Sequence, residues 1–560
     1  MRLVTFFALV ASVLAVAAAS KDHYDPTGVH LSFGDEEDQM VVTWSTAKST
    51  HADVRYAPSD PKSSTPASLT LSASGTVREF VDSGSQRTTR YVHAATLRGL
   101  APGVRYEYQV GDASLDKWSA TFWFTSRRNA KQLAEKNTPP LRLIALCDIG
   151  FKRSELVLKL LANEVHGAGK TPPDAFVQCG DFAYDLDSDD GTVGDDFLAA
   201  MEPIAAYVPW MTSAGNHEKR DNFTHYRERF TMPNKAQTDN HYYSLDLGPV
   251  HLVAYNTEAL FWPDTFGVEY AARMYAWLER DLSRVDRKKT PWVVVHGHRP
   301  MYCPTTKAAV VEENFDDRDD RAPPSFSSTP RAPERETVGK KKPDLGGLCK
   351  WEQESSRLGV PSVCANSDGT NCARFESVSY LESSPEERGL SDPPRFPLEA
   401  LFHEHGVDVA FYGHKHEYWR SFPVFNETVV NGTGLTSLET YREPRGTVHV
   451  VTGAGGNENM DLGDKPPSRG RCADLTGEGK DLDPASWCAF QSGVDVSSGR
   501  TSDFSYGIVT FWSGSRMTWQ QFSALDDGAK IDEWHIETSK HGPFANRLLA
   551  SESHAGIAAE

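Results

Sequence analysis

Five apolar, β-branched runs in this 560-residue chain each break off into glycine and polar residues, and that repeated ending most constrains the fold. The runs are Leu141–Cys147, Ala175–Cys179, Val208–Ala214, Trp292–Val295 and Val407–Tyr412. Apolar runs of roughly four to eight residues bounded by turn residues read as buried parallel strands. Asp148-Ile149-Gly150 follows the first, Gly180-Asp181-Phe182-Ala183-Tyr184 the second and Gly215-Asn216-His217-Glu218 the third. His298-Arg299-Pro300 and Gly413-His414-Lys415-His416 follow the last two. Ligands in α/β sheets gather beyond the carboxyl ends of the strands. The pattern therefore predicts one crevice that receives Asp148, Asp181, Tyr184, Asn216, His298, His414 and His416.

That set of side chains is suited to metal ions. Carboxylate and phenolate are donors for a hard trivalent ion such as iron, and imidazole suits a borderline divalent ion such as zinc, manganese or iron(II). An aspartate placed between two metals can bridge them at the separation of about 3.5–4 Å used by two-metal hydrolases. Asn216 offers a neutral carbonyl, and the two-residue spacing of His414 and His416 lets one reach each metal. Singly these motifs are weak, because Gly-Asp pairs and strand-end histidines are common. Their order and their common position at strand ends carry the argument.

The rest of the chain frames this centre. Residues 1–20 carry Arg2, an apolar stretch and three alanines before Ser20, the pattern of a secretory signal peptide. No later segment is long and apolar enough to span a membrane, and the net charge of −19 argues against nucleic acid or an anionic membrane as partner. A secreted protein, or one in the lumen of the secretory pathway, is expected. Three sequons, at Asn222, Asn426 and Asn431, are candidate sites for N-glycans. Eight cysteines fit an oxidising compartment. Cys147 and Cys179 lie in core strands and read as buried free thiols, while the pairing of the other six is open.

Residues 25–128 read as an all-β domain of short aromatic and β-branched strands, and Leu100-Ala101-Pro102-Gly103 before Tyr106 resembles a turn of fibronectin type III domains. This module holds no catalytic cluster and is read as a scaffold. Residues 129–140 form a linker, and 141–540 alternate strands with helices at Ser154–Val165, Tyr270–Val285 and Leu398–His405. A Pro-, Ser- and charge-rich insertion interrupts this at about 304–395, and 541–560 reads as a loose tail.

With the motifs in order, the chain resembles the metallophosphoesterase superfamily, and Tyr184 within Gly-Asp-Phe-Ala-Tyr marks a similarity to the purple acid phosphatases of the large, plant type. The resemblance implies an αββα sandwich as the catalytic domain, after a fibronectin III-like β-sandwich. It also implies trivalent iron at Asp148, Asp181, Tyr184 and His416, and a divalent ion at Asp181, Asn216, His298 and His414. The His-x-Pro pattern of that family selects His298 over His296. The implied activity is that of an acid phosphatase acting on a small phosphomonoester through a metal-bound hydroxide. A phosphodiesterase or nucleotide pyrophosphatase, or a catalytically silent binding protein, is the alternative. His217 is placed to donate to the phosphate or the leaving group, and Glu218 reads either as orienting it or as a solvated acid. The plant-type enzymes carry further histidines after His-x-Pro, whereas this chain has none between Arg299 and Phe402. His296, Arg299 and Tyr302 are the candidates for a second donor, and His403 and His405 read as surface residues. Natural substrate and oligomeric state are open at this stage.

Overall fold

The computed structural model describes residues 22–151, 153–302, 357, 362–364, 372–374, 396–430, 438–457, 460, 467–474, 487–493 and 503–545. The segment read as a signal peptide, most of the 304–395 stretch read as an insertion, and Asn431 lie outside the described residues.

The first part of the chain is two antiparallel sheets. One orders Thr27–Phe33, Met40–Thr46, Thr89–Leu97 and Thr76–Val81. The other is built on Asp53–Pro58 and Arg105–Asp112, with Phe122–Thr125 paired to the latter. Alternate residues point inward, so Leu31, Val42, Trp44, Val54, Tyr108 and Phe124 form a shared core. The edge strands Leu71–Ser74 and Thr76–Val81 lack that alternation because they are largely exposed, so no sequence pattern marks them.

Two further sheets form the second part. The seven-stranded sheet carries Leu141–Leu146, Ala175–Cys179 and Trp210–Ser213 in parallel register, so their carboxyl ends lie side by side. The eight-stranded sheet carries Val250–Ala254, Trp292–His296, Val409–Tyr412 and Val448–Thr452 in parallel. The sheets meet face to face: the rings of Phe411 and Trp519 lie 5.9 Å apart, and Thr452 Oγ1 donates to the Ala145 carbonyl. Glu155–His166 and Thr192–Ala205 put their apolar stripes into the core shared with the first sheet. Val268–Ser283 and Leu398–His405 bury Met274, Leu278, Leu282, Leu401 and Phe402 in a separate cluster with Val293, Val295 and Tyr412. This is the αββα arrangement expected.

The two parts are tied together by buried polar contacts. Val29 N–H donates to Glu202 at 2.9 Å and Tyr108 Oη donates to the Ala206 carbonyl at 2.7 Å. Arg90 crosses to pair with Asp195 of the helix Thr192–Ala205, which Arg229 of the second part also holds. Among the described residues no helix is long and apolar enough to cross a membrane.

Three expectations are corrected. Cys147 and Cys179 are joined as a disulfide rather than free, because neighbouring parallel strands bring their Cα atoms to 4.9 Å. Cys472 pairs with Cys488, and no described cysteine is free. The tail is seated as far as residue 545, since Phe544 is fully buried against the His403 ring, and 546–560 lie outside the described residues. His403 is in turn half-buried and stacked on Phe425 at 3.9 Å, not a surface residue.

His251 shows how charge stabilises this frame. It sits between Asp246 of the adjacent strand, at 2.8 Å, and Asp281 of Val268–Ser283, at 3.0 Å. Burial alone would lower its pKa, but hydrogen bonds and charge from the two aspartates raise it to about 9. A raised pKa stabilises fully below the unfolded value of about 6.5 and is lost as pH rises through about 9. His251→Gln should therefore cost on the order of 2–3 kcal/mol in denaturant unfolding near pH 6 and much less near pH 9.5. An equal loss at both pH values would refute the ion-pair account.

Candidate metal centre

Three of the five motif loops leave their strands through left-handed residues. Asp148, Asp181, Tyr184 and His414 all have left-handed backbones, with φ of 57°, 50°, 49° and 68°. Such conformations cost roughly 1–3 kcal/mol each for non-glycine residues and persist where surrounding structure over-determines them. Here it does: Asp148 N–H donates to the Gly180 carbonyl, and His414 N–H donates to Asp148 Oδ2 at 2.9 Å. The glycines of the motifs leave room for the side chains. A Cβ on Gly413 would fall 2.1 Å from Asp148 Oδ2, and one on Gly215 would fall 2.2 Å from Asp181 Oδ1.

All seven predicted side chains converge, and they sort into two groups. Tyr184 Oη lies 3.0 Å from Asp148 Oδ1 and 2.8 Å from His416 Nε2, with His416 Nε2 3.6 Å from the same carboxylate. In the second group His298 Nε2 lies 3.0 Å from Asn216 Oδ1 and 3.2 Å from Asp181 Oδ2. His414 Nδ1 lies 2.9 Å from Asn216 Oδ1, and donor atoms of Asp181, His298 and His414 all fall within 4.8 Å of one another. His298 Nδ1 is 2.8 Å from the Cys179 carbonyl, to which it donates, so Nε2 is turned into the site. This backbone anchoring of one nitrogen is the usual support for a metal-binding imidazole.

The donor set fits a pair of cations. Asp148 and Asp181 are 0% and 1% exposed, yet among the described residues their ion-pair partners are only His416 and His298. Two buried carboxylates without a lysine or arginine are costly unless cations join them. Burial pushes Asp148 well above the usual carboxylate range. Burial also opposes ionisation of Asp181, but the His298 and His217 charges outweigh it and hold its carboxyl below that range. Burial works against protonated His298 as well, and the Asp181 charge overrides it, raising the ring to about 10. In effect a proton on His298 balances charge that a metal would balance. Burial pushes His416 down to about 3, so its ring is neutral, as a metal-binding imidazole must be.

His217 stands beside this cluster. Its ring lies 4.3 Å from that of Tyr184, its Nδ1 is 2.6 Å from Asp185 Oδ1, and its side chain is 22% exposed. Burial would lower its pKa, but Asp181 and Asp185 raise it to about 10, so it carries a proton. Asp185, the residue after the Tyr184 motif, was missed in the sequence because a lone acid after a tyrosine carries no pattern. Glu218 neither orients His217 nor is solvated. It is 2% exposed and accepts the N–H groups of Asp181 at 2.9 Å, Phe182 at 3.0 Å and Gly215 at 2.8 Å, locking two loops together.

Of the three candidates for a second donor, Arg299 alone reaches the cluster. Its Nε donates to both oxygens of Glu258 at 3.0 Å, and its Nη1 lies 3.1 Å from His414 Nε2. His296 is buried against Phe411 and Ser213, where burial lowers it to about 3. Tyr302 bonds Glu399 and packs on Trp487 in the outer cluster.

This fold and this cluster define a two-metal hydrolase of the metallophosphoesterase class. The family comparisons agree: residues 26–126 match the purple acid phosphatase N-terminal domain, 141–322 the calcineurin-like phosphoesterases and 446–533 the iron/zinc purple acid phosphatase-like C-terminal region. The chain belongs to the purple acid phosphatase family. It is 31% identical to acid phosphatase type 7 of Mus musculus over 94% of this chain and 93% of that one. It is 33% identical to acid phosphatase type 7 of Homo sapiens, over 91% of this chain and 90% of that one. A purple acid phosphatase from yellow lupin (Lupinus luteus) seeds shares the fold, with a TM-score of 0.60, at 20% identity over 94% of this chain and 76% of its own.

Removing the Glu218 carboxylate leaves three buried N–H groups without an acceptor, at about 1–3 kcal/mol for an unsatisfied group. Glu218→Ala should lose at least about 3 kcal/mol in denaturant unfolding and bind metal more weakly, because Asp181 is no longer held. Wild-type stability and metal content in this variant would show that the latch is dispensable.

Proposed function

We propose that the chain is a dinuclear acid phosphatase that hydrolyses phosphomonoesters. Its two ions would be trivalent iron at Asp148, Asp181, Tyr184 and His416, and zinc, manganese or iron(II) at Asp181, Asn216, His298 and His414. The observation that carries this reading is the sorting of the seven side chains: an oxygen-rich group with a phenolate on one side, two imidazoles and an amide on the other. Two bound metals supply an activated water and neutralise charge on phosphoryl oxygens.

The chain's own residues do the rest. Asp185 holds His217 by Nδ1, leaving Nε2 to donate to a phosphoryl oxygen or to the departing alkoxide. Burial works against a proton on His217, and the charges of Asp181 and Asp185 favour one. Arg299, held by Glu258, sets the ring plane of His414 rather than acting as an acid, because a guanidinium does not release its proton.

A secretory setting is supported by the apolar leader, the Cys472–Cys488 disulfide and the exposure of Asn222 and Asn426 for glycans. The division into a β-sandwich at 25–128 and a catalytic domain at 141–540 is supported by the spans of the family matches.

His217→Ala should lower turnover of a nitrophenyl phosphate monoester by roughly 10²–10⁴ with both metals retained. Tyr184→Phe should abolish any visible band while leaving most of the activity, since the phenolate does not take part in attack. Faster turnover of the matching diester than of the monoester by the wild type would replace the phosphatase with a phosphodiesterase. Metal-loaded protein that hydrolyses neither would make it a binding protein.

A further inference from the structure

A cavity of about 310 Å³ lies where the β-sandwich, the 129–140 linker and the catalytic domain meet, and it shares no lining residue with the metal centre. That volume is at the lower end of the roughly 300–1,000 Å³ typical of small-molecule sites. Phe33, Trp123, Tyr207, Pro209 and Leu247 give it an apolar side, and Arg127, Arg128, Glu135 and Asp174 bring charge to the rest of the lining.

Arg127 is the unusual member. It is 7% exposed, yet among the described residues it forms no ion pair. Its Nη2 donates to the Gly34 carbonyl at 3.1 Å, its guanidinium lies 4.8 Å from the centre of the Phe33 ring, and its Nε finds no acceptor. The carboxylates of Glu37, Asp246, Glu36 and Asp38 act on it only from a distance, so the buried guanidinium forfeits hydration that one carbonyl and one ring replace only in part. Its neighbours are otherwise committed. Arg128 holds both oxygens of Asp174 at 2.6 Å and two proline carbonyls. Gln132 is engaged with the Asn129 backbone and the Pro102 carbonyl.

We infer that this cavity binds a small organic acid, its carboxylate on Arg127 and its apolar body against Trp123, Tyr207 and Leu247. Among the described residues Arg127 is the lining cation that has no ion pair, and beside the apolar side of the cavity it suits a monocarboxylate, with Glu135 also in the lining to disfavour a higher negative charge. A phosphate dianion would need further donors, and Arg128, the nearest candidate, is already neutralised by Asp174. The occupant would touch the sandwich, linker and catalytic domain at once, and so stabilise their junction by binding only the folded protein.

Titration calorimetry on the full-length, metal-loaded protein tests this with benzoate, with benzamide as its uncharged counterpart, and with inorganic phosphate. Benzoate should bind saturably, benzamide at least about tenfold more weakly, and Arg127→Gln should weaken benzoate by a similar factor, the loss of one charge-assisted bond. Hydrolysis of the nitrophenyl monoester should be unchanged in Arg127→Gln. Should that variant fail to fold, Leu247→Phe, which leaves the arginine and narrows the cavity, should weaken benzoate alone. Benzoate binding that is absent, equalled by benzamide, or unaffected by both substitutions would overturn the proposal. So would an Arg127-dependent site that takes phosphate but not benzoate.

Discussion

Two carboxylates buried without a lysine or arginine partner, Asp148 and Asp181, are the constraint on which the site depends. Ionised carboxylates there have lost their hydration and have only histidine rings to offset them, which is costly. The surroundings respond by raising the proton affinity of His298 and His217. The left-handed backbones, the glycines that leave no room for a Cβ, and the Glu218 latch all keep the donors facing one point. Metal ions would relieve the electrostatic cost while displacing the proton on the ligand His298, which couples metal affinity to pH and to folding.

The scaffold explains how residues so distant in sequence meet. Three parallel strands of one sheet end beside two of the other, and the sheets pack through their inner faces. Each strand end contributes what its following loop carries. The β-sandwich takes no part in this geometry, but its contacts with Thr192–Ala205 fix the helix that follows the Tyr184 loop. A rigid neighbour there limits the freedom of Asp185 and His217.

Much of this was legible in the sequence, for a physical reason. Buried parallel strands must be apolar throughout, and the loops after them must change to glycine and ligands, so Asp148, Asp181, Asn216, His298 and His414 announce themselves. The choice of His298 over His296 also follows from the fold: His296 is the last residue of the strand Trp292–His296 and packs inside on Phe411, whereas His298 lies in the loop beyond the strand end. What escaped were relations between side chains with no periodic signal. Asp185 on His217 depends on how one loop folds back over another, and Glu218 acts on backbone groups, which no residue identity reveals. The Cys147–Cys179 pair was missed because its apolar context also suits buried thiols, and only the register of adjacent strands brings the sulfurs together. Exposed edge strands such as Leu71–Ser74 lack alternation and cannot be recognised from pattern.

The central claim is that these seven side chains hold two metals that act together. Stripping the purified protein with chelator and returning metal in measured amounts, with elemental analysis and phosphatase activity read on the same samples, addresses it directly. The account predicts two ions per chain and recovery of activity only as the second equivalent is taken up. Full activity at one ion per chain, or in protein free of metal, would contradict it.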